Sequence, residues 1–436
     1  MSATRTRQQS ERPLRGGERT TIALLGVPTL GLALATTVVT TYLPLIARRF
    51  TGSTTIIGLI IGTEGLLALV LPLVFGTWSD QLQTRLGGRL PFVLGAAPAL
   101  AVVLALLGFS GSLLATILLV LAFFTAYFIA YEPYRALYPD LISREVAGRA
   151  QSIQALWRGG GTGLALVGGG LLFGLARWLP FVTASVVFVV AVAVFALVLL
   201  RRRVPDQDSH AALGLRKAVG ELRRLIAEHP ALRAYLVANA LWELSLGAIK
   251  TFVVLFLTAG LGKSVTTAAL IIGGVALVIL ISAPISGQLA DRLGRLRILH
   301  VALWAYGLGL FVPLLTQSPY LVVPVIPAIA FGGAVVMSLP YAILIPLMPA
   351  RSHGALTGFY SLSRGIGTML GPVIAGAAVQ VLRGPLSSTH GYAAIWGVSG
   401  TATLLSLGAL RRLRAAESDR RELRSQAHQA SDETEG

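Results

Sequence analysis

Runs of about twenty apolar residues, nearly free of charge, recur from Thr21 to Leu410. That feature leaves few architectures open. A helix needs about 20 apolar residues to cross a hydrocarbon layer of ~30 Å. A chain in lipid must also satisfy its backbone hydrogen bonds internally. A membrane barrel would alternate apolar and polar residues instead of running apolar. Composition agrees: 54% of the 436 residues are hydrophobic and 13% are charged, about half the charged fraction of a soluble protein. The expected fold class is an all-α integral membrane protein.

Twelve candidate transmembrane helices can be drawn, at 21–47, 56–78, 91–109, 112–138, 150–176, 178–200, 231–258, 265–290, 297–316, 320–348, 354–380 and 391–411. If both termini lie inside, the cytoplasmic side collects 26 Lys and Arg and the opposite loops 5. That asymmetry is the positive-inside pattern. The net charge of +17 is therefore read as topology, and no nucleic-acid partner is expected. The basic N-terminus resembles a signal-peptide n-region, but the apolar run behind it is too long for an h-region and reads as a retained span. The expected location is a cell membrane, multi-pass, with both termini cytoplasmic.

The organisation follows: a basic tail at 1–20, a six-helix bundle at 21–200, a central cytoplasmic loop at 201–230, a second bundle at 231–412 and a charged, unstructured tail at 413–436. Within the loop, Leu215, Val219, Leu222 and Ile226 recur at helical spacing beside Arg216, Lys217, Arg223 and Arg224. That pattern predicts an amphipathic helix on the inner membrane face. The two bundles echo one another. Gly76 and Asp80 match Gly287 and Asp291 at an offset of 211, PYRALYP at Pro133 matches PYAILIP at Pro340 at 207, and Arg158-Gly159 matches Arg364-Gly365 at 206. Steady offsets across two apolar blocks indicate two parallel six-helix repeats. The drop in offset comes from QLQT, present in DQLQTRLG and missing from DRLG.

Each repeat has a Gly-x-x-x-Asp segment closing an even-numbered helix, then a short turn rich in Gly and Arg. Gly76 and Gly287 are expected to allow close helix approach. Asp80 and Asp291 are expected to be held by nearby arginines as a charged latch that hydrates when its side of the membrane opens. The gate set comprises Gly76, Asp80, Arg85, Gly87, Arg89, Asp140 and Arg149 in the first half, with Gly287, Asp291, Arg292, Gly294 and Arg295 in the second. The plain alternative is a solvated turn with positive-inside arginines.

GQLADRLGR resembles the signature between helices 2 and 3 of the major facilitator superfamily, which recurs there between helices 8 and 9. WSDQLQTRLGGRLPF and PYRALYPDL are similar to the sucrose–proton symporters and the glycoside–pentoside–hexuronide carriers. That resemblance implies sugar or glycoside transport coupled to a cation, H+ or alternatively Na+. The chain departs from the sucrose symporters at one informative place. The intramembrane Asp they carry nine residues before the proline is Phe124 here, with Tyr127 and Phe128 following.

Ionisable residues inside spans cost about 2.5–3.5 kcal/mol each and are functional candidates by default. They are Glu64, Glu132, Arg135, Arg158, Glu243, Lys250 and Arg364, and none falls within helices 3, 6, 9 or 12. In the superfamily those four helices are outer supports, so the resemblance places the charges around a central cavity. Glu64 lies about 12 Å into its helix at 1.5 Å per residue, a candidate proton site or a neutral carboxyl bonded between helices. Glu132 and Arg135, at i,i+3, suit a structural pair. Glu243 and Lys250 are too far apart along one helix to pair, and bracket a ligand or find partners across the cavity. Arg158 and Arg364 suit an inner gate or an anion-attracting role, against snorkelling. Tyr127, Tyr131, Trp157, Trp242 and Tyr360 offer faces for a sugar ring, a drug-like ligand or interhelical packing.

No cysteine is present and no histidine pair has ligand spacing, so no metal site and no cofactor are expected. The absence of a P-loop excludes ATP-driven pumping, and no convergent catalytic groups suggest an enzyme. The expected partners are a small-molecule substrate and the bilayer, and the expected state is a monomer. Drug efflux is the nearest rival to sugar symport. Efflux carriers of the superfamily have G-x-x-x-G-P in helix 5, but this chain has it at Gly367 to Pro372, in helix 11. An organic-anion carrier is the third reading, because buried bases outnumber buried acids.

Overall fold

The computed structural model describes residues 16–81, 89–140, 147–200, 215–348 and 356–413. Among them every regular element is helical. The first bundle consists of α1 (Gly16–Ala47), α2 (Thr54–Gln81), α3 (Leu90–Leu107), α4 (Leu113–Asp140), α5 (Ala147–Leu175) and α6 (Leu179–Leu200). A shorter helix α7 (Leu215–Glu228) precedes α8 (Pro230–Leu255), α9 (Val265–Leu293), α10 (Arg295–Leu315), α11 (Pro319–Ser338), α12 (Pro340–Leu347) and α13 (Leu356–Val381). A last helix α14 occupies 394–413. Ten of the described helices are long and apolar enough to cross a membrane; α5 and α14, diluted by glycine and serine, are outside that set. The protein is a multi-pass membrane protein.

The helix ends follow local chemistry. Pro230 and Pro319 open their helices, where a missing N–H costs nothing. Ser264 caps α9 by accepting the Thr267 N–H at 3.0 Å. Gly294, at φ +93°, both ends α9 and starts α10. A one-residue reversal there needs a conformation that side chains resist, which accounts for the glycine in DRLGR. The run expected at 320–348 is broken into α11 and α12 at Leu339, because Pro340 cannot continue a helix with an i−4 bond. The Tyr235 hydroxyl steadies the break by donating to the Pro340 carbonyl at 3.0 Å. Beyond Leu255 the backbone of α8 loosens into a π turn over Phe256–Gly260.

Successive long helices run antiparallel, so the bundle has a near end, where α1 begins, and a far end. The two helix sets are joined at the far end. One buried apolar cluster runs through α1–α6 and continues into Ala248, Phe252, Leu255, Ala375 and Val379 of α8 and α13. A second cluster, with Trp242, Leu303, Leu344 and Leu410, is confined to α7–α14. Glycines decide the contact between the sets. A Cβ on Gly58, Gly62 or Gly65 of α2 would collide with the backbone of Met369 or Pro372 in α13, and one on Gly170 of α5 with Ala269 of α9. Close approach of this kind gives dispersion contact in lipid, where burying apolar surface gains little.

Toward the near end the sets part. A Cβ on Gly159 would meet Leu280 only at 3.9 Å, and one on Gly287 would meet nothing within 4 Å. Gly287 therefore makes no close helix contact, contrary to the expectation from its motif. In α7, Leu222 and Leu225 are buried in the second cluster, and the helix packs on α8 and reaches α2.

Candidate functional site

A cleft, partly open to solvent, lies between α2, α4 and α13. It extends from mid-bundle toward the near end. Glu64 enters from α2; Tyr127, Tyr131, Glu132 and Arg135 come from α4; Tyr360 and Arg364 come from α13. Both helix sets thus contribute walls, and residues about 300 positions apart meet there.

The positions follow from helix geometry. Tyr127, Tyr131 and Arg135 are at i,i+4 spacing, so they share one face of α4. Tyr127 and Tyr131 stack at 5.1 Å and 14°, and the Arg135 guanidinium lies over the Tyr131 ring at 5.9 Å. Arg135 also meets Glu132 at 2.9 Å, the expected i,i+3 pair. On α13, Arg364 precedes Gly365, and on α2, Glu64 precedes Gly65. A Cβ on Gly65 would strike the Gly365 carbonyl. The two charged side chains therefore flank a close crossing between the helix sets.

Glu64 is 9% exposed and makes no ion pair or hydrogen bond with any described residue. Arg364, 46% exposed, reaches Glu243 of α8 at 3.9 Å. Lys250, exposed and two turns further along α8, forms no ion pair among the described residues. Arg158 on α5 is exposed, forms no ion pair among the described residues and does not line the cavity.

Two aromatic candidates lie elsewhere. Trp242 is 1% exposed and donates its indole N–H to Ser406 Oγ at 2.8 Å, facing α14. It is a packing residue of the second helix set and not a wall of the cavity, because its N–H found a buried hydroxyl there. Trp157 donates to the Ala23 carbonyl at 2.9 Å and braces α5 against α1. Tyr341, which the sequence pattern does not single out, packs edge-on against Tyr360 at 5.3 Å. Its place after the α11–α12 break directs it there, a feature the single apolar run conceals.

The gate motif is partly visible. Gly76 and Asp80 lie in the final turns of α2 and Asp140 ends α4; Arg85 and Gly87 lie outside the described residues. Arg89 precedes α3, and Arg149 stands in the first turn of α5. In the second copy Asp291 and Arg292 are exposed and unpaired among the described residues. Arg295 donates to the Ala342 carbonyl at 3.0 Å instead of holding Asp291. The expected contact between Asp291 and the neighbouring arginines is not made among the described residues. Among the described residues no group of His, Asp and Glu could hold a metal ion.

A second set of contacts is not foreshadowed by any charged motif. At the far end Ser53 and Thr55 donate to Gln380 Oε1 at 2.7 and 2.9 Å, and Thr54 donates to the Gly376 carbonyl at 2.7 Å. The spacing Gly58-x-x-x-Gly62-x-x-Gly65 was the available signal for this seam.

A helical membrane protein with a charged, aromatic cavity between two helix sets, sealed at one end and open at the other, has the form of a solute carrier. The chain belongs to the Major Facilitator Superfamily, a family of membrane transporters, whose profile matches residues 29–257 and 240–433. It is 28% identical over 272 residues to the multidrug resistance protein MdtG of Salmonella paratyphi C, an alignment spanning 59% of this chain and 63% of that protein. The fold resembles a bacterial homologue of the human lysosomal transporter Spinster in an inward-facing, occupied conformation, at 16% identity and TM-score 0.73, covering 93% of this chain and 98% of the other. It also resembles the nucleoside transporter NupG, at 14% identity and TM-score 0.71, covering 90% of this chain and 98% of the other.

Proposed function

We propose that this protein is a secondary transporter that moves a small ring-bearing organic solute by alternating access, with Glu64 carrying the coupling proton. The carrying observation is an unpaired carboxyl, nine-tenths buried, in a cavity shared by both helix sets. A charge at that depth is costly, so exchanging a proton as the cavity changes sides is the chemistry such a group suits. In this reading twelve spans form two six-helix repeats that rock about the cavity. Gly161 and Gly367 support the repeat: they stand 206 positions apart, and each presses its helix onto a neighbour's carbonyl, at Leu30 and Ala240. With the basic loops cytoplasmic the cavity opens inward in a cell membrane, and the protein works as a monomer without a cofactor.

Sugar or glycoside uptake with H+ draws support from the PYRALYPDL resemblance and from the tyrosine faces. Proton-coupled drug efflux draws support from the likeness to a protein named for multidrug resistance. In proteoliposomes, an inward proton gradient is expected to drive accumulation or expulsion of a member of a panel containing sucrose, an aryl glucoside, ethidium and 2-naphthoate. The direction and the member identify the reading. Glu64→Gln is expected to abolish the gradient-driven part and leave counterflow in place. Undiminished uphill transport by that variant overturns the assignment of Glu64.

A further inference from the structure

The outer face of α7 is unpartnered among the described residues. Leu222 and Leu225 enter the second buried cluster, together with Ile298 and Leu299 of α10 and Leu410 and Leu413 of α14. A helix turns once every 3.6 residues, so the residues between those leucines look away from the bundle. Gly220, Arg223, Arg224 and Ala227 are all exposed there, and a Cβ on Gly220 would meet nothing within 4 Å. Arg223 forms no ion pair among the described residues. Arg224 meets Glu228 at 3.7 Å with both side chains more than half exposed, and a pair of that kind is worth little. Arg216 and Lys217 precede the two arginines by seven residues, about two turns of the same helix.

The helix is also fixed in height. Only His229 separates it from α8, which opens at Pro230. The His229 N–H donates to the Leu225 carbonyl at 3.1 Å, and the Arg233 guanidinium donates to the Ala227 carbonyl at 3.1 Å. The apolar span that follows, Pro230–Gly260, has 31 residues, about 46 Å at 1.5 Å per residue. That length matches a bilayer with its headgroups included, so α7 is clamped at headgroup level. Arg297, Arg411 and Arg412 are exposed beside Ile298 and Leu410, and they continue the basic surface around the same cluster. The exposed acids described at this end of the second set are Glu228 and Asp291.

We propose that the outer face of α7 is a docking surface for anionic phospholipid headgroups of the leaflet at the near end. Guanidiniums match phosphate oxygens through paired N–H bonds, and each basic residue near an anionic surface contributes about fivefold in affinity. The inference needs only that the chain spans a membrane; it does not depend on the solute, the proton or the direction of transport. Headgroups held there also bear on the seam, because α7 is fixed to the second set and reaches α2 of the first.

The test is native mass spectrometry of the full chain, purified in neutral detergent, with dioleoyl phosphatidylglycerol or dioleoyl phosphatidylcholine added. Phosphatidylglycerol is expected to bind at least about tenfold more tightly and to raise Tm where phosphatidylcholine does not. Arg223→Gln combined with Arg224→Gln is expected to weaken phosphatidylglycerol about 25-fold and to remove the rise in Tm. Glu228→Gln, which frees Arg224, is expected to tighten it about two- to fivefold. Arg177→Gln combined with Lys263→Gln removes the same charge from exposed far-end positions and is expected to change nothing. Equal binding of the two lipids overturns the proposal, as does undiminished phosphatidylglycerol binding by the Arg223 and Arg224 variant. An equal loss in the far-end variant overturns it too, since net charge alone would then account for the attraction. Hexaglutamate held by the same arginines as tightly as phosphatidylglycerol would overturn it in favour of an acidic protein partner.

Discussion

The far and near ends of the seam between the helix sets are built from opposite materials. At the far end α2 and α13 touch through glycine and backbone, and the hydrogen bonds that tie them are neutral: Thr54 to Gly376, Ser53 and Thr55 to Gln380. Nearby, the Arg48 guanidinium lies over the Tyr392 ring at 5.7 Å. At the near end the groups are charged and exposed, with Asp291, Arg292 and Arg158 unpaired among the described residues. Glycine contacts gain only when dry and close-packed, whereas charges need water or a partner of opposite sign. A seam made this way seals by shape at one end and by charge at the other. Only the second kind of seal can be altered by a solute or a proton.

That comparison can be broken most sharply at Gly65. A leucine there drives into Met369 and Gly365, and overpacking of that kind costs about 1–3 kcal/mol, roughly a five- to 150-fold shift away from the sealed far end. The chain has no cysteine, so the alkylation rate of a cysteine placed at buried Thr54 reports the shift directly. An unchanged rate in Gly65→Leu would show that the glycines do not hold the seal. Gln380→Ala removes one acceptor shared by two hydroxyls, worth roughly 0.5–1.5 kcal/mol, and the same cysteine is expected to react about two- to tenfold faster. Trp242→Phe gives the smallest effect on transport. Losing the bond to Ser406 costs about 1 kcal/mol of stability, visible as a lowered Tm, while solute transport stays unchanged. A tenfold loss of transport in that variant would return Trp242 to the cavity wall.

Much of the candidate site was legible because charge within an apolar run is conspicuous. Glu64, Glu132, Arg135 and Arg364 stand out on that ground alone, and four-residue spacing already put Tyr127 and Tyr131 on the face of Arg135. Partnership was legible only within one helix. The Glu132–Arg135 pair follows from i,i+3 geometry, but Glu243 finding Arg364 depends on how α8 packs against α13. Aromatic residues misled, because an indole beside a glutamate reads the same whether it faces a cavity or a neighbouring helix. The amphipathic pattern of α7 announced an apolar stripe, but that Leu222 and Leu225 bury against the second helix set depends on how α7 meets α8.

Apolar run length, loop charge and the repeated motifs are local properties, and by themselves they determined a helical, multi-pass protein of a recognisable carrier family. Backbone satisfaction in lipid leaves a chain of this composition no other class of fold. Only the tertiary structure decided which end of the seam is shut, which arginine lacks an acid partner and where the indoles point. Those outcomes depend on contacts between helices hundreds of residues apart, set by whether a glycine or a side chain stands at each crossing.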